Sequence, residues 1–266
     1  MLEYEFMQNA FLIAILASIA CGIVGTLVVV KRVVFISGGI AHASFGGIGI
    51  GYLLGVSPVL TLIPFSLLAA IAIGYLSKKT KISEDASIGI FWSLGMALGI
   101  FFIDISSKPT PDLLSYLFGN ILMVPKSDVL LILVLDIIIL LTVVGLYKYF
   151  LAISFDEEFT KAQGIRTFAF YLITLCLISL TVVTLIRVVG IILVISLLTI
   201  PAIISRLFVV QLKSIMVLAS IISIAVMGSG LMISYYFDLV SGPTIIILSM
   251  FFYLCSHLIT GLRKKR

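Results

Sequence analysis

The sequence predicts an all-α, polytopic helical membrane protein: a single transmembrane domain, residues 1–266, crossing the bilayer eight to nine times. Three observations carry that reading. Of the 266 residues, 62% are hydrophobic and only 11% charged, whereas a soluble domain has about a quarter of its residues charged. Long runs such as 6–30, 86–103, 167–186, 188–205, 214–237 and 239–262 hold at most one ionisable residue each. As helices, roughly 20 such residues cross a hydrocarbon core of about 30 Å. Finally, the cationic residues segregate to alternate connections.

Taken in order, the expected spans are 9–30, 34–56, 58–77, 86–104, 128–149, 167–186, 188–205, 213–236 and 242–262. The first is preceded by MLEYEFMQ, whose two glutamates and lack of basic residues are the reverse of a secretory leader. It is read as a retained span. The connection 105–127 is the longest. It places Pro109, Pro111 and Pro125 around the apolar piece LLSYLFGNILMV, which predicts a short helix lying on or dipping into the membrane. Residues 154–165, SFDEEFTKAQGI, form the most acidic internal stretch and read as a short amphipathic helix stopped at Gly164. Residues 188–205 are either a full span or a re-entrant half, which is the difference between nine spans and eight.

With the carboxyl terminus inside, alternate counting leaves only Lys108, Lys126 and Arg187 on the outer side. Lys and Arg accumulate in cytoplasmic loops. The expectation is a multi-pass protein of the plasma or inner membrane, with a cytoplasmic RKKR tail and an external amino terminus. Basic loops against anionic lipid headgroups account for the net charge of +5 without any nucleic acid. Cys21, Cys176 and Cys255 stand alone in apolar runs and read as small core residues, with neither a disulfide framework nor a zinc motif.

The second span holds the first candidate site. Gly39, Ala43, Gly47, Gly51 and Gly55 recur every four residues, a face of small side chains that lets helices approach closely where lipid supplies no hydrophobic drive. His42 sits in the same segment, roughly 12 Å in from the Lys31/Arg32 end at about 1.5 Å per residue. Ionisable groups at such depth usually face a bundle interior or a wet cavity, and a neutral imidazole is a good transition-metal ligand. The ring is read either as hydrogen-bonded to a nearby helix or as a ligand or gate on a pathway. Gly38 and Gly46, one turn either side, leave room beside it. Asp136, in VLLILVLDIIILL, lies at a similar depth. It is read either as paired with a hydroxyl or amide of the bundle or as a second metal or proton group partnering His42.

Six segments then carry a resemblance through their order and spacing: GGIAHASFGGIGIGYLLG at 38–55, SEDASIGIFWSLGMALGIF at 83–101, LFGNILMV at 117–124, SFDEEFTKAQGI at 154–165, LIRVVGIILVISLLTIPAIISRL at 185–207 and SGPTIIIL at 241–248. Nearly end to end, the chain resembles the membrane subunits of ABC importers of the zinc/manganese (and iron) uptake class. The resemblance implies a permease homodimer, two cytoplasmic ATPase subunits and an extracytoplasmic metal-binding protein. It also implies that the acidic loop, with Asp156, Glu157, Glu158 and Gly164, contacts the ATPase. In that family the second span carries an aspartate one turn before the histidine, and the two help form a metal-passage site. The histidine matches His42, the aspartate's position is Gly38, and the family's Pro-Gly is Gly46-Gly47. Asp136 is a candidate substitute for the missing carboxylate. Histidine suits zinc, whereas manganese usually takes more carboxylate oxygen, so zinc is expected ahead of manganese or iron.

The sequence contains no G-x-x-x-x-G-K-[ST] phosphate loop. The chain is therefore expected to be a transport subunit and not an enzyme, with no cofactor of its own and a divalent metal ion as cargo. Two other classes were weighed. An intramembrane serine hydrolase built on Gly228-Ser229-Gly230 and His257 fails because a G-x-S-G pattern would need glycine where Met227 stands. A secondary transporter driven by an ion gradient often shows internal repeats and several intramembrane carboxylates; here no repeat is visible and Asp136 is the single candidate.

Overall fold

In the computed structural model, residues 4–106, 113–119, 121 and 124–264 are described. They form helices throughout. The first, α1 (Glu5–Lys31), begins with an acidic residue and ends with a basic one, matching its dipole. The second expected span is two helices, α2 (Val34–Ala43) and α3 (Phe45–Leu54), broken at Ser44. The Ser44 hydroxyl donates to the Ile40 carbonyl at 2.6 Å. Such back-bonding often bends a helix, and Gly46 and Gly47 just beyond add little helix propensity. Gly55 ends α3 in the left-handed region, at φ 74°.

There follow α4 (Pro58–Lys79), with proline at its first position, and α5 (Glu84–Ile105), whose cap Ser83 accepts from the Ala86 N–H at 3.2 Å. Then come the short α6 (Leu113–Phe118), α7 (Lys126–Gly145), α8 (Tyr147–Phe155), α9 (Glu157–Ala162) and α10 (Thr167–Val189). The chain closes with α11 (Val194–Phe208), α12 (Leu212–Phe237) and α13 (Ser241–Lys264). Of the polar connection 105–127, residues 107–112, 120, 122 and 123, including Pro109 and Pro111, lie outside the described residues.

Among the described residues, eight helices are long and apolar enough to cross a membrane, counting α2 and α3 together as 34–54. The stretch 188–205 is where the eight-span and nine-span expectations differ. It is no continuous helix: α10 runs to Val189, Gly190 turns at φ 80°, and helix resumes only at Val194. The resulting α11 has 15 residues, about 22 Å at 1.5 Å per residue, so the helix by itself is shorter than a core of roughly 30 Å. The broken backbone is satisfied from α6, because the Ile191 N–H donates to the Tyr116 carbonyl at 3.0 Å and the Ile192 N–H to Leu117 at 3.2 Å. Irregular backbone at membrane depth survives only where protein satisfies it in this way.

Two contacts fix the ends of the bundle. Glu5 pairs with Lys126, so α1 and α7 start at one end. Lys31 lies 3.9 Å from Glu157 at the other, together with α9. Arg206, at the far end of α11, shares a cavity with Leu151, Ser154 and Phe155, so α11 brings the chain back to the Lys31 end. Close approaches knit the core: a Cβ on Gly22 would overlap Ser220 of α12, and one on Gly25 would overlap the Leu198 carbonyl of α11. The outward faces of α7 (Leu130, Leu133, Leu141, Val144) and α13 (Ile247, Phe251, Leu258) are exposed and apolar, as a lipid-facing surface requires.

Candidate functional site

His42 lies near the end of α2, two residues before the Ser44 break. Its Nδ1 is 3.0 Å from the Gly38 carbonyl oxygen. A carbonyl only accepts, so Nδ1 carries the proton and, in the neutral ring, Nε2 keeps its lone pair. That is the arrangement a metal-ligating histidine has, with one ring nitrogen anchored and the other free to bind. One face of the imidazole is covered by Trp92 of α5, with ring centroids 3.7 Å apart and an interplanar angle of 15°. Only 8% of His42 is exposed, against 36% of Trp92.

The small residues around it hold α2 and α3 against α4 and α5. A Cβ on Gly39 would stand 2.7 Å from Ile88 Cγ2. Ala43 meets Gly95, where an added methyl would overlap the Ala43 carbonyl and Cα. Gly47 faces Leu62 at 2.9 Å and Gly51 faces Pro58 at 2.6 Å by the same construction. The Gly47 carbonyl also accepts from the Thr61 hydroxyl at 2.7 Å. Gly55 does something else: it is the turn residue whose N–H donates to Gly51 at 2.9 Å. At Gly38, where the resemblance expects a carboxylate, an added Cβ would run into Ile195 Cδ1.

Asp136 is buried on α7, on the face that carries Ile132, Ile139 and Val143. Neither carboxylate oxygen has a hydrogen-bond partner among the described residues. No contact joins it to His42: α7 packs on α1 and α10, whereas α2 packs on α5, α10 and α11. Within one chain the described residues do not bring His42 and Asp136 together. Similar depth along the two spans does not place them on facing sides, because α1 and α10 occupy the centre. Among the described residues, no group of three or more His, Cys, Asp or Glu side chains gathers to hold a metal ion.

At the Lys31 end, Asp156 caps α9 by accepting from the Phe159 N–H at 2.9 Å. Glu157 and Glu158 fill the first turn, and Gly164 (φ 84°) leaves the segment in the left-handed region. Phe155, the last residue of α8, and Phe159 of α9 are both exposed, the former at 84%. Lys31 ties the element to α1: its Nζ donates to the Ile153 carbonyl at 3.0 Å and approaches Glu157. Beneath lies a cavity of about 120 Å³ lined in part by Lys31, Arg32, Lys78, Glu84 and Glu157.

Sequence reasoning missed three features. Trp92 is the chain's single tryptophan, and its position on an apolar span gave no sign that it faces His42. The Lys31–Ile153 bond joins residues far apart in sequence. At the opposite end, Arg187 Nε donates to Asp128 Oδ2 at 2.8 Å, and Nη2 contacts the same oxygen. Tyr52 and Tyr116 pack edge to face beside this pair, with ring centroids 6.5 Å apart.

Comparison with known proteins gives these features a family. A family model described as the ABC 3 transport family matches residues 3–260. An uncharacterised membrane protein of Synechocystis sp. is 44% identical over 255 residues, spanning 96% of this chain and 91% of that protein. The manganese transport system membrane protein MntC of Listeria monocytogenes is 31% identical over 258 residues, 97% of this chain and 92% of its own. Among solved structures, a chain of PsaBC from Streptococcus pneumoniae in complex with Fab superimposes with a TM-score of 0.86 at 34% identity, over 95% of this chain and 91% of that one. With a likeness that runs nearly the length of both partners, this chain is a membrane-embedded transport subunit and belongs to the ABC 3 transport family.

Proposed function

We propose that the chain is the permease of an importer that carries a divalent metal ion into the cytoplasm, zinc ahead of manganese or iron. It works as a homodimer, fed by an extracytoplasmic metal-binding protein and driven by separate cytoplasmic ATPase subunits. The observation that carries this is the His42 imidazole, deep in a close-packed span with Nδ1 anchored on Gly38 and Nε2 left to bind. The listerial relative's name supports a divalent metal as cargo. The donor chemistry supports zinc, since the site offers an imidazole and its carboxylate position is glycine.

One imidazole is an incomplete ligand sphere, which suits a passage better than a storage site. A second copy would add a second imidazole, and water the remainder. Energy enters at the other end. The ATPase grips Phe155 and Phe159 around α9. Lys31, bonded to Ile153 and close to Glu157, passes the displacement to α1, which packs on α7, α10, α11 and α12. The C-terminal tail lies on this same cytoplasmic side.

Competition uptake tests the choice of ion. In vesicles holding the complete transporter, unlabelled zinc should suppress uptake of labelled zinc at lower concentration than manganese or iron does. Stronger competition by manganese would reassign the cargo, and indifference to all three would remove the metal reading.

A further inference from the structure

The stacking of Trp92 on His42 has a consequence for how strongly a metal is held. Three restraints act on the imidazole: the α2 backbone, the Nδ1–H bond to Gly38, and the indole face at 3.7 Å and 15°. Together they fix the ring plane and with it the direction in which Nε2 presents its lone pair. When Nε2 binds a divalent cation, the imidazole loses electron density and becomes cation-like. The face of an indole is the best of the aromatic surfaces for a cation. The stack is therefore stronger with the metal-bound ring than with the free one.

The carboxylate position points the same way. A side chain at 38 would collide with Ile195 Cδ1 and lie 3.9 Å from Trp92 Cζ3. Ile195 and the indole fill the space that a carboxylate there would need. Trp92 is also the more accessible half of the pair.

We propose that Trp92 is a positioning residue of the metal passage, holding the His42 ring in its binding orientation and favouring the metal-bound imidazole through the face of the indole. This rests on the reading of His42 as a metal ligand, so the test separates the two.

Because Trp92 is the single tryptophan of the chain, biosynthetic replacement by mono- and difluorotryptophan alters this position alone and weakens the π face with little change of shape. Zinc affinity of the full-length permease in nanodiscs is measured by competition with a chelating dye. It should fall stepwise along the fluorinated series. Trp92→Leu should weaken it about two- to thirty-fold, and Trp92→Phe should recover part of the loss. Cobalt(II) should quench the indole emission saturably in the unsubstituted chain and lose that saturable component in His42→Ala. If His42→Ala binds zinc as tightly as the parent, the ligand reading itself falls. If His42→Ala loses zinc while the fluorinated series stays flat, His42 stands as a ligand and the role given to Trp92 is wrong.

Discussion

Replacing Gly95 by alanine puts a methyl group into the backbone of α2. The added carbon would overlap the Ala43 carbonyl oxygen and Cα. Backbone atoms cannot swing aside as a flexible side chain can, so α2 and α5 must separate at the level of His42 and Trp92. Overpacking of this kind costs about 1–3 kcal/mol, and an immovable neighbour argues for the upper end. Alanine returns about 1 kcal/mol of helix propensity, leaving a net loss of about 2 kcal/mol. The same helix supplies a control, because a Cβ at Gly89 would meet nothing within 4 Å. There alanine gains its propensity, about 1 kcal/mol, with no opposing overlap. Thermal unfolding of the purified permease in nanodiscs should rank Gly89→Ala above the parent and Gly95→Ala below it. Metal uptake by Gly95→Ala should fall as the His42–Trp92 pair is pulled apart. A Gly95→Ala protein that melts at or above the parent temperature would refute the packing argument.

Other substitutions test the remaining parts. Asp136→Leu removes a buried carboxylate that no described residue hydrogen-bonds, so it should raise stability by about 1–3 kcal/mol and leave uptake intact; lost uptake would restore Asp136 to the pathway. Arg187→Met strands Asp128, whose side chain is 11% exposed. Its cost should be about 2–3 kcal/mol, the buried-pair value discounted for partial exposure. In a double-mutant cycle with Asp128→Leu, much of that loss should disappear. Phe155→Ala with Phe159→Ala should leave the unfolding temperature near the parent's while abolishing stimulation of the ATPase by the permease. Retained stimulation would move the docking surface elsewhere.

What the sequence made legible is what depends on one-dimensional pattern. Apolar runs and the placement of Lys and Arg mark where the chain enters and leaves the bilayer, and the four-residue spacing of small side chains marks the face along which α2 and α3 approach α4 and α5. The short helix at 154–165 and its stop near Gly164 were readable because local chemistry decides them. Breaks inside apolar segments were not. The run through Ser44 keeps its hydrophobic character while a hydroxyl bends the helix, and the interruption at 190–193 shows in the sequence as one glycine among aliphatic residues. Azimuth was the larger gap. His42 and Asp136 can be assigned a depth from span boundaries, but only the packing of α1 and α10 between them shows that they do not meet. The Trp92 contact needs the register of α2 against α5, which Gly95 and Ala43 set in three dimensions.

The central claim is that metal crosses beside His42 under power supplied by another subunit. Its most direct test is labelled zinc uptake into proteoliposomes containing the permease, with and without its ATPase and ATP, in parent and His42→Ala forms. Uptake should require both ATPase and ATP, and His42→Ala should fall at least about tenfold, as loss of an anchored ligand predicts, while still assembling with the ATPase. Flux through the permease alone, or equal rates in the two forms, would contradict the account.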